Sequence, residues 1–205
     1  KSMEEFRTAF DEDVQNLLRM GMWIYLWIKP VADTLPDYYD ASSVGICFCK
    51  AFELSLKRNF FRGLRILVPD AQVRGKTLSE ISIDTVMIGD YSTVITEKAS
   101  VLAGMMSKLG HKEYDTEWWN GLLDKLRSCK DFRNSCCHPG KNYSWNNLEK
   151  LLNLLFADST IRKKGLFGKD RVIHGLMFET GFRDVINTAF GEERAASGTV
   201  PLRAP

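Results

Sequence analysis

Arg133, Asn134 and His138 are the residues of this 205-residue chain whose types and spacing best suit chemistry. They follow an amphipathic run, Leu122-Leu123-Asp124-Lys125-Leu126-Arg127-Ser128-Cys129, whose leucines recur at helical steps. In a continued helix, Arg133 and His138 sit on neighbouring faces, a little more than one turn apart. Asn134 lies four residues before His138 and shares its face, able to hold the imidazole or touch a substrate. A histidine with a pKa near ~6.5 serves as general base or acid at neutral pH. An always-charged arginine offers paired N–H donors to phosphate oxygens as negative charge builds on them. The trio therefore fits acid–base chemistry at a phosphate group. Taken singly, His138 also reads as a helix-terminal histidine, and Arg133 as the partner of Asp131 or another nearby carboxylate. Pro139 follows directly and biases His138 away from helical φ/ψ, which sets His138 at a helix end.

Other residues attach to this trio. Lys130 and Lys141 flank it and are candidates for holding RNA phosphates, and Tyr143 is a candidate for stacking on a base. Glu53 and Lys57, followed by Arg58, form a pair four apart with the glutamate first, an arrangement worth about 0.2–0.5 kcal/mol on any surface helix. His111 lies in a solvated Gly110-His111-Lys112 turn, and His174 has no neighbour at metal-ligand spacing. The five cysteines, Cys47, Cys49, Cys129, Cys136 and Cys137, show no CxxC pair. A composite zinc site from Cys136, Cys137, His138 and a distant cysteine is the lesser reading. Reduced thiols are preferred, and no metal or cofactor is expected.

The elements that must position these residues are helical nearly throughout. Apolar positions from Phe6 to Trp27 mark a helix over residues 3–29, with Pro30 as its stop. Ser42 and Ser43 are cap candidates for a second helix running to about Arg62. Residues 64–78 read as a connection in which Arg65-Ile66-Leu67-Val68 could be a short strand. Residues 79–88 are ambiguous between strand and short helix. Further helices are expected over 91–109, from Asp115 or Thr116 through Cys129, around Leu148–Phe156 and over about 170–190. Trp118, Trp119 and Trp145 read as core or interface anchors.

Hydrophobic residues make up 44% and charged residues 26%, as in ordinary globular domains, which excludes disorder and a disulfide-dense scaffold. The longest apolar run, Met22 to Ile28, is far too short to span a bilayer. No signal-peptide pattern opens the sequence, and a cytoplasmic location is expected. The net charge of +2 provides no global field for nucleic acid. Charge is nonetheless clustered, with an acidic run over 4–13 and basic runs over 57–76 and 162–171. Such runs usually form solvated faces, and here they also leave room for a phosphate-tracking surface.

The order and spacing of Arg133, Asn134 and His138 resemble the HEPN superfamily. Its members are small all-helical domains whose RNases share an Arg-x4–6-His motif, often with Asn after the Arg. Glu53, Lys57 and Arg58 are similar to the Glu-x3-Lys-Arg motif of some HEPN families, and the resemblance covers about residues 3 to 160. It implies an all-α, HEPN-like helical bundle with additional C-terminal helices. Residues 1–190 would form one domain and 191–205 a flexible tail. It further implies a metal-independent endoribonuclease with Arg133, His138 and Asn134 as catalytic residues and Glu53 in support. Lys130, Lys141, Tyr143, Lys57 and Arg58 would bind RNA. The implied enzyme is a homodimer with a composite active site and no membrane association. A role in toxin–antitoxin or antiviral defence is implied as well, with an antitoxin or a larger effector assembly as partner. The alternative is a catalytically inactive HEPN-like RNA-binding or assembly module, which Pro139 favours. The nuclease domain attached to certain kinases carries a similar run, but no kinase motif is present here.

Overall fold

The computed structural model describes residues 10–32, 34, 40–137, 143–156 and 176–179. The protein is all-α, with one two-stranded hairpin among the described residues. Helix α1 spans Glu12–Ala32, with Glu12 and Asp13 favourably placed at its positive end. Phe10 and Asp11 precede it, so the helix starts later than the periodicity suggests. Pro30 lies inside the last turn and does not stop the helix, contrary to expectation. In that turn its fixed φ is helical and only the bond to the Leu26 carbonyl is lost. Thr34 then closes the end, its N–H and Oγ1 both donating to the Val31 carbonyl.

Helix α2, Ser42–Ser55, is the centre of the fold. Its Val44, Gly45, Cys47, Phe48, Cys49, Ala51 and Phe52 are all buried, leaving a narrow strip with Ser43 and Lys50 to face solvent. Helix α1 runs antiparallel along it: Gly21 lies against Cys47 and Phe48, and Asp13 meets Arg58 beyond the end of α2. The backbone continues from α2 through a π-helical turn, Leu56–Phe61, into helix α3, Arg62–Leu67. Residues 65–67 are thus helical rather than a strand. The wide turn lets adjacent Phe60 and Phe61 both enter the core, where each ring meets Tyr91.

Strands β1, Gln72–Val73, and β2, Lys76–Thr77, pair antiparallel around Arg74 and Gly75, whose φ values of 52° and 74° suit a primed two-residue turn. Residues 79–88 resolve as part of two single 3-10 turns, Leu78–Glu80 and Ile83–Thr85, before helix α4, Ile88–Lys108. Arg74 ties the hairpin down, donating to Asp90 at 2.8 Å and to the Thr85 carbonyl at 3.1 Å.

Helix α5, Thr116–Cys137, is capped by Asp115, which accepts from the Trp118 N–H at 2.8 Å. It packs between α4 and α2, burying Leu122, Leu123, Leu126 and Cys129. Helix α6, Trp145–Phe156, covers another side of α2 and is pinned to α1. There Tyr25 stacks on Trp145 at 5.3 Å, while the Tyr25 hydroxyl and Lys29 both donate to Glu149. Helix α7, Leu176–Glu179, falls within the helix expected over 170–190. The rest of that helix and the 191–205 tail lie outside the described residues. Among the described residues, no helix is long and apolar enough to cross a membrane.

Candidate functional site

Arg133 sits near the C-terminal end of α5 with its side chain 42% exposed. Its Nε donates across to Glu53 of α2 at 3.2 Å, and its Nη1 donates to the neighbouring Asn134 Oδ1 at 3.3 Å. Three of the residues singled out from sequence are therefore brought together on two packed helices. Glu53 pairs with Arg133 here, not with Lys57 one turn on. The two bonds orient the guanidinium and leave Nη2 available for a phosphate oxygen. Glu53 also adds negative charge near the buried Tyr91 hydroxyl, whose pKa is raised, first by burial and then by Asp90 and Glu53.

Two lysines border this group. Lys57 Nζ donates to the Asp84 carbonyl at 3.0 Å. Lys130 lies exposed one turn before Asn134, its Nζ beside Gly89 in the first turn of α4. Both lysines therefore meet the segment 84–89, which sequence reasoning did not connect to the site. The one local signal there is Ser82, whose hydroxyl accepts from the Asp84 N–H and fixes the turn.

Arg58 is differently employed. Its guanidinium is paired with both Asp11 and Asp13, so part of the acidic run 4–13 neutralises part of the basic run 57–76. Arg65 is also turned to the protein, donating to the Ser79 carbonyl and lying over the Phe61 ring. The basic run 57–76 thus spends Lys57, Arg58, Arg65 and Arg74 on internal contacts rather than on one phosphate-tracking surface. His138 and Lys141 lie outside the described residues, as does the run 162–171.

Tyr143 is 1% exposed, so its ring offers no face to a base. Its role is structural: the hydroxyl donates to the Asn147 carbonyl at 3.1 Å, and the backbone N–H donates to Asp40 at 3.1 Å. The Tyr143 carbonyl in turn accepts from the Ala41 N–H at 2.9 Å. Asp40 thereby fastens the chain five residues past His138 to the start of α2, a tie with no signal in the sequence beyond the Asp40-x-Ser42 pattern. Burial pushes the Asp40 carboxyl up, but hydrogen bonds from the Ser42 hydroxyl, Ser42 N–H and Tyr143 N–H outweigh it and hold the pKa below the usual range. A lowered native pKa stabilises the fold above the unfolded value near ~4, and that contribution is lost as pH falls through the native value. Asp40→Asn is expected to melt below wild type at pH 7, with the gap narrowing in acid as the pH falls below the unfolded value near ~4. Parallel melts at pH 7 and in acid check this, and a gap of unchanged size in acid would remove Asp40 from this role.

Four of the five thiols, all but Cys137, are buried structural groups. Cys49 is hydrogen-bonded to Cys129 and Cys136, and Cys136 also to Tyr143. The bonds within this cluster together with burial push the Cys49 and Cys136 thiols well above the ordinary range, which keeps them protonated and poor nucleophiles. Cys137 is exposed. Among the described residues, no group of three or more His, Cys, Asp or Glu is placed to hold a metal ion.

Comparison with family models, curated proteins and solved structures returned no match for this chain.

Proposed function

We propose that this protein is a metal-independent endoribonuclease of the HEPN type, cleaving RNA through 2′-hydroxyl attack. The observation that carries the reading is Arg133, half-open to solvent yet oriented through Nε by Glu53 and through Nη1 by Asn134. Its guanidinium keeps an open edge, which a phosphate contact requires. Here the edge sits five residues ahead of His138, the group able to move a proton at neutral pH. In this scheme His138 takes the 2′-hydroxyl proton as the O2′–P bond forms, and the P–O5′ bond breaks with proton delivery to the leaving 5′-oxygen. Arg133 holds the non-bridging oxygens while charge accumulates on phosphorus. One copy supplies one arginine and one histidine, so two copies sharing a cleft would supply a separate base and acid. Lys130, exposed at the border of the group, is suited to hold a flanking phosphate. A cytoplasmic toxin or antiviral effector, checked by an antitoxin or housed in a larger assembly, is the setting such an activity fits.

A second reading rests on Pro139. A proline biases the residue before it away from helical φ/ψ, and a His138 so turned favours a HEPN-like RNA-binding or assembly module without activity. One experiment separates the two. A mixed tRNA and mRNA pool is incubated in EDTA with wild type and with His138→Ala. Cleavage by wild type alone, leaving 2′,3′-cyclic phosphate ends, is expected. Binding without cleavage by both assigns the module instead, and equal cleavage by both removes His138 from the reaction.

A further inference from the structure

The solvent-facing side of α1 changes character along its length. Glu12, Asp13, Asn16 and Arg19 occupy its first half, whereas the second half exposes Met20, Met22, Trp23, Leu26, Trp27 and Val31. Trp23, Leu26 and Trp27 are 65%, 61% and 75% exposed. The two indoles lean on each other at 6.0 Å to form a ridge. Trp23 also walls a cavity of about 470 Å³, completed by Leu18, Arg19, Met22, Leu26, Phe48 and Phe156. The exposed ridge adds nothing to the core, and a monomer gains nothing from three turns of open tryptophan, leucine and methionine.

We infer that this face joins two copies of the chain. A ridge and a cavity lie side by side on one helix, so a two-fold axis crossing α1 between Trp23 and Trp27 seats each Trp27 indole in the other copy's cavity. A plug and socket set far apart would build open fibres, whereas adjacent ones close into a pair. From Met20 to Val31 the one charged residue is Lys29, 39% exposed at the margin of the face and paired with Glu149 of α6, so a copy meeting itself brings few like charges together. The open parts of the six side chains amount to roughly 600 Å². Two such faces opposed bury roughly 1,200 Å², the lower end of what specific interfaces use. A lipid surface fits less well, because the polar half of the same face contributes two carboxylates and one arginine where anionic headgroups call for a basic rim.

Pairing through this face is independent of the chemistry proposed for Arg133, and the test keeps the two apart. Sedimentation velocity of the full chain is expected to give twice the monomer mass at micromolar concentration. Trp27→Lys and Leu26→Lys, each with an unchanged melt, are expected to weaken association roughly 100-fold. Met87→Lys, an exposed apolar control just ahead of α4, is expected to leave the pair intact. A wild type that stays monomeric, or a dimer indifferent to both α1 variants, overturns the inference. In the second case a dimer built elsewhere still serves the ribonuclease reading. A monomer that floats with neutral or anionic phospholipid vesicles, and loses that binding in Trp27→Lys, assigns the face to a membrane surface instead.

Discussion

Arg133→Ala is expected to lower RNA cleavage by about 10²–10³-fold while leaving stability within about 1 kcal/mol of wild type. The two halves of that expectation come from one geometry. The Arg133–Glu53 pair is partly exposed, at 42% and 26%, so losing it costs the fold what a surface ion pair costs. The guanidinium edge, by contrast, is held in place by acceptors on both α2 and α5, as a group that must meet a phosphate squarely needs to be. Arg133→Lys is expected to recover little activity. A lysine keeps the charge but has no planar fork for Glu53 to orient while it grips a phosphate. Single-turnover cleavage rates beside thermal melts check both halves. An Arg133→Ala protein that cleaves normally makes the pair with Glu53 a fold contact and ends the catalytic reading of Arg133. One that melts far below wild type makes it a structural residue.

Gly45→Val is expected to be the most damaging single change in the core, at about 3 kcal/mol, or a melting point lower by roughly 10 °C. A Cβ at Gly45 falls 2.5 Å from Cys136 Sγ and 3.2 Å from the Tyr143 ring. Neither neighbour can retreat. Cys136 is wedged between Cys49 and Tyr143, and the Tyr143 ring is held by its bond to Asn147. Helix propensity returns only a few tenths of a kcal/mol for valine over glycine. Gly104→Ala in α4 is the contrast. A Cβ there meets nothing within 4 Å, so the variant gains about 1 kcal/mol from propensity alone. Urea unfolding of the two variants beside wild type reads both signs at once. If Gly45→Val also disturbs cleavage, the contact reaches the site through Tyr143 and the segment that follows His138.

Much of the helical frame is legible in the residues. The leucines of α5 and α6 and the Asp115 cap announce their helices because periodicity and capping are local signals. The π-helical turn is not legible, since Leu56-Lys57-Arg58-Asn59-Phe60-Phe61 carries no mark of a widened turn and only packing of both phenylalanines against Tyr91 requires it. The acidic run 4–13 and the basic run 57–76 read as two separate faces until the antiparallel course of α1 brings Asp11 and Asp13 to Arg58. Of the site, the types and order of Glu53, Arg133 and Asn134 are visible in sequence, but their contact depends on the crossing of α2 and α5. Tyr143 misleads for a similar reason: an aromatic just past a polar motif looks available, and only the tie to Asp40 shows where its ring goes. Periodicity counts Trp27 into the buried stripe of α1, yet it is 75% exposed, because apolar residues on both faces blur the stripe that marks a surface helix.

The central place of α2 has a consequence for how this chain reaches its structure. Phe48 is covered by Gly21 from α1 on one side and by Phe156 from α6, roughly a hundred residues later, on another. Until that distant segment is synthesised, one side of Phe48 stays open. Helix α6 must then close back on α2 across the intervening helices, and such non-local contacts slow folding. A ribosome-bound or proteolysed fragment ending before α6 leaves that side of α2 uncovered and prone to association.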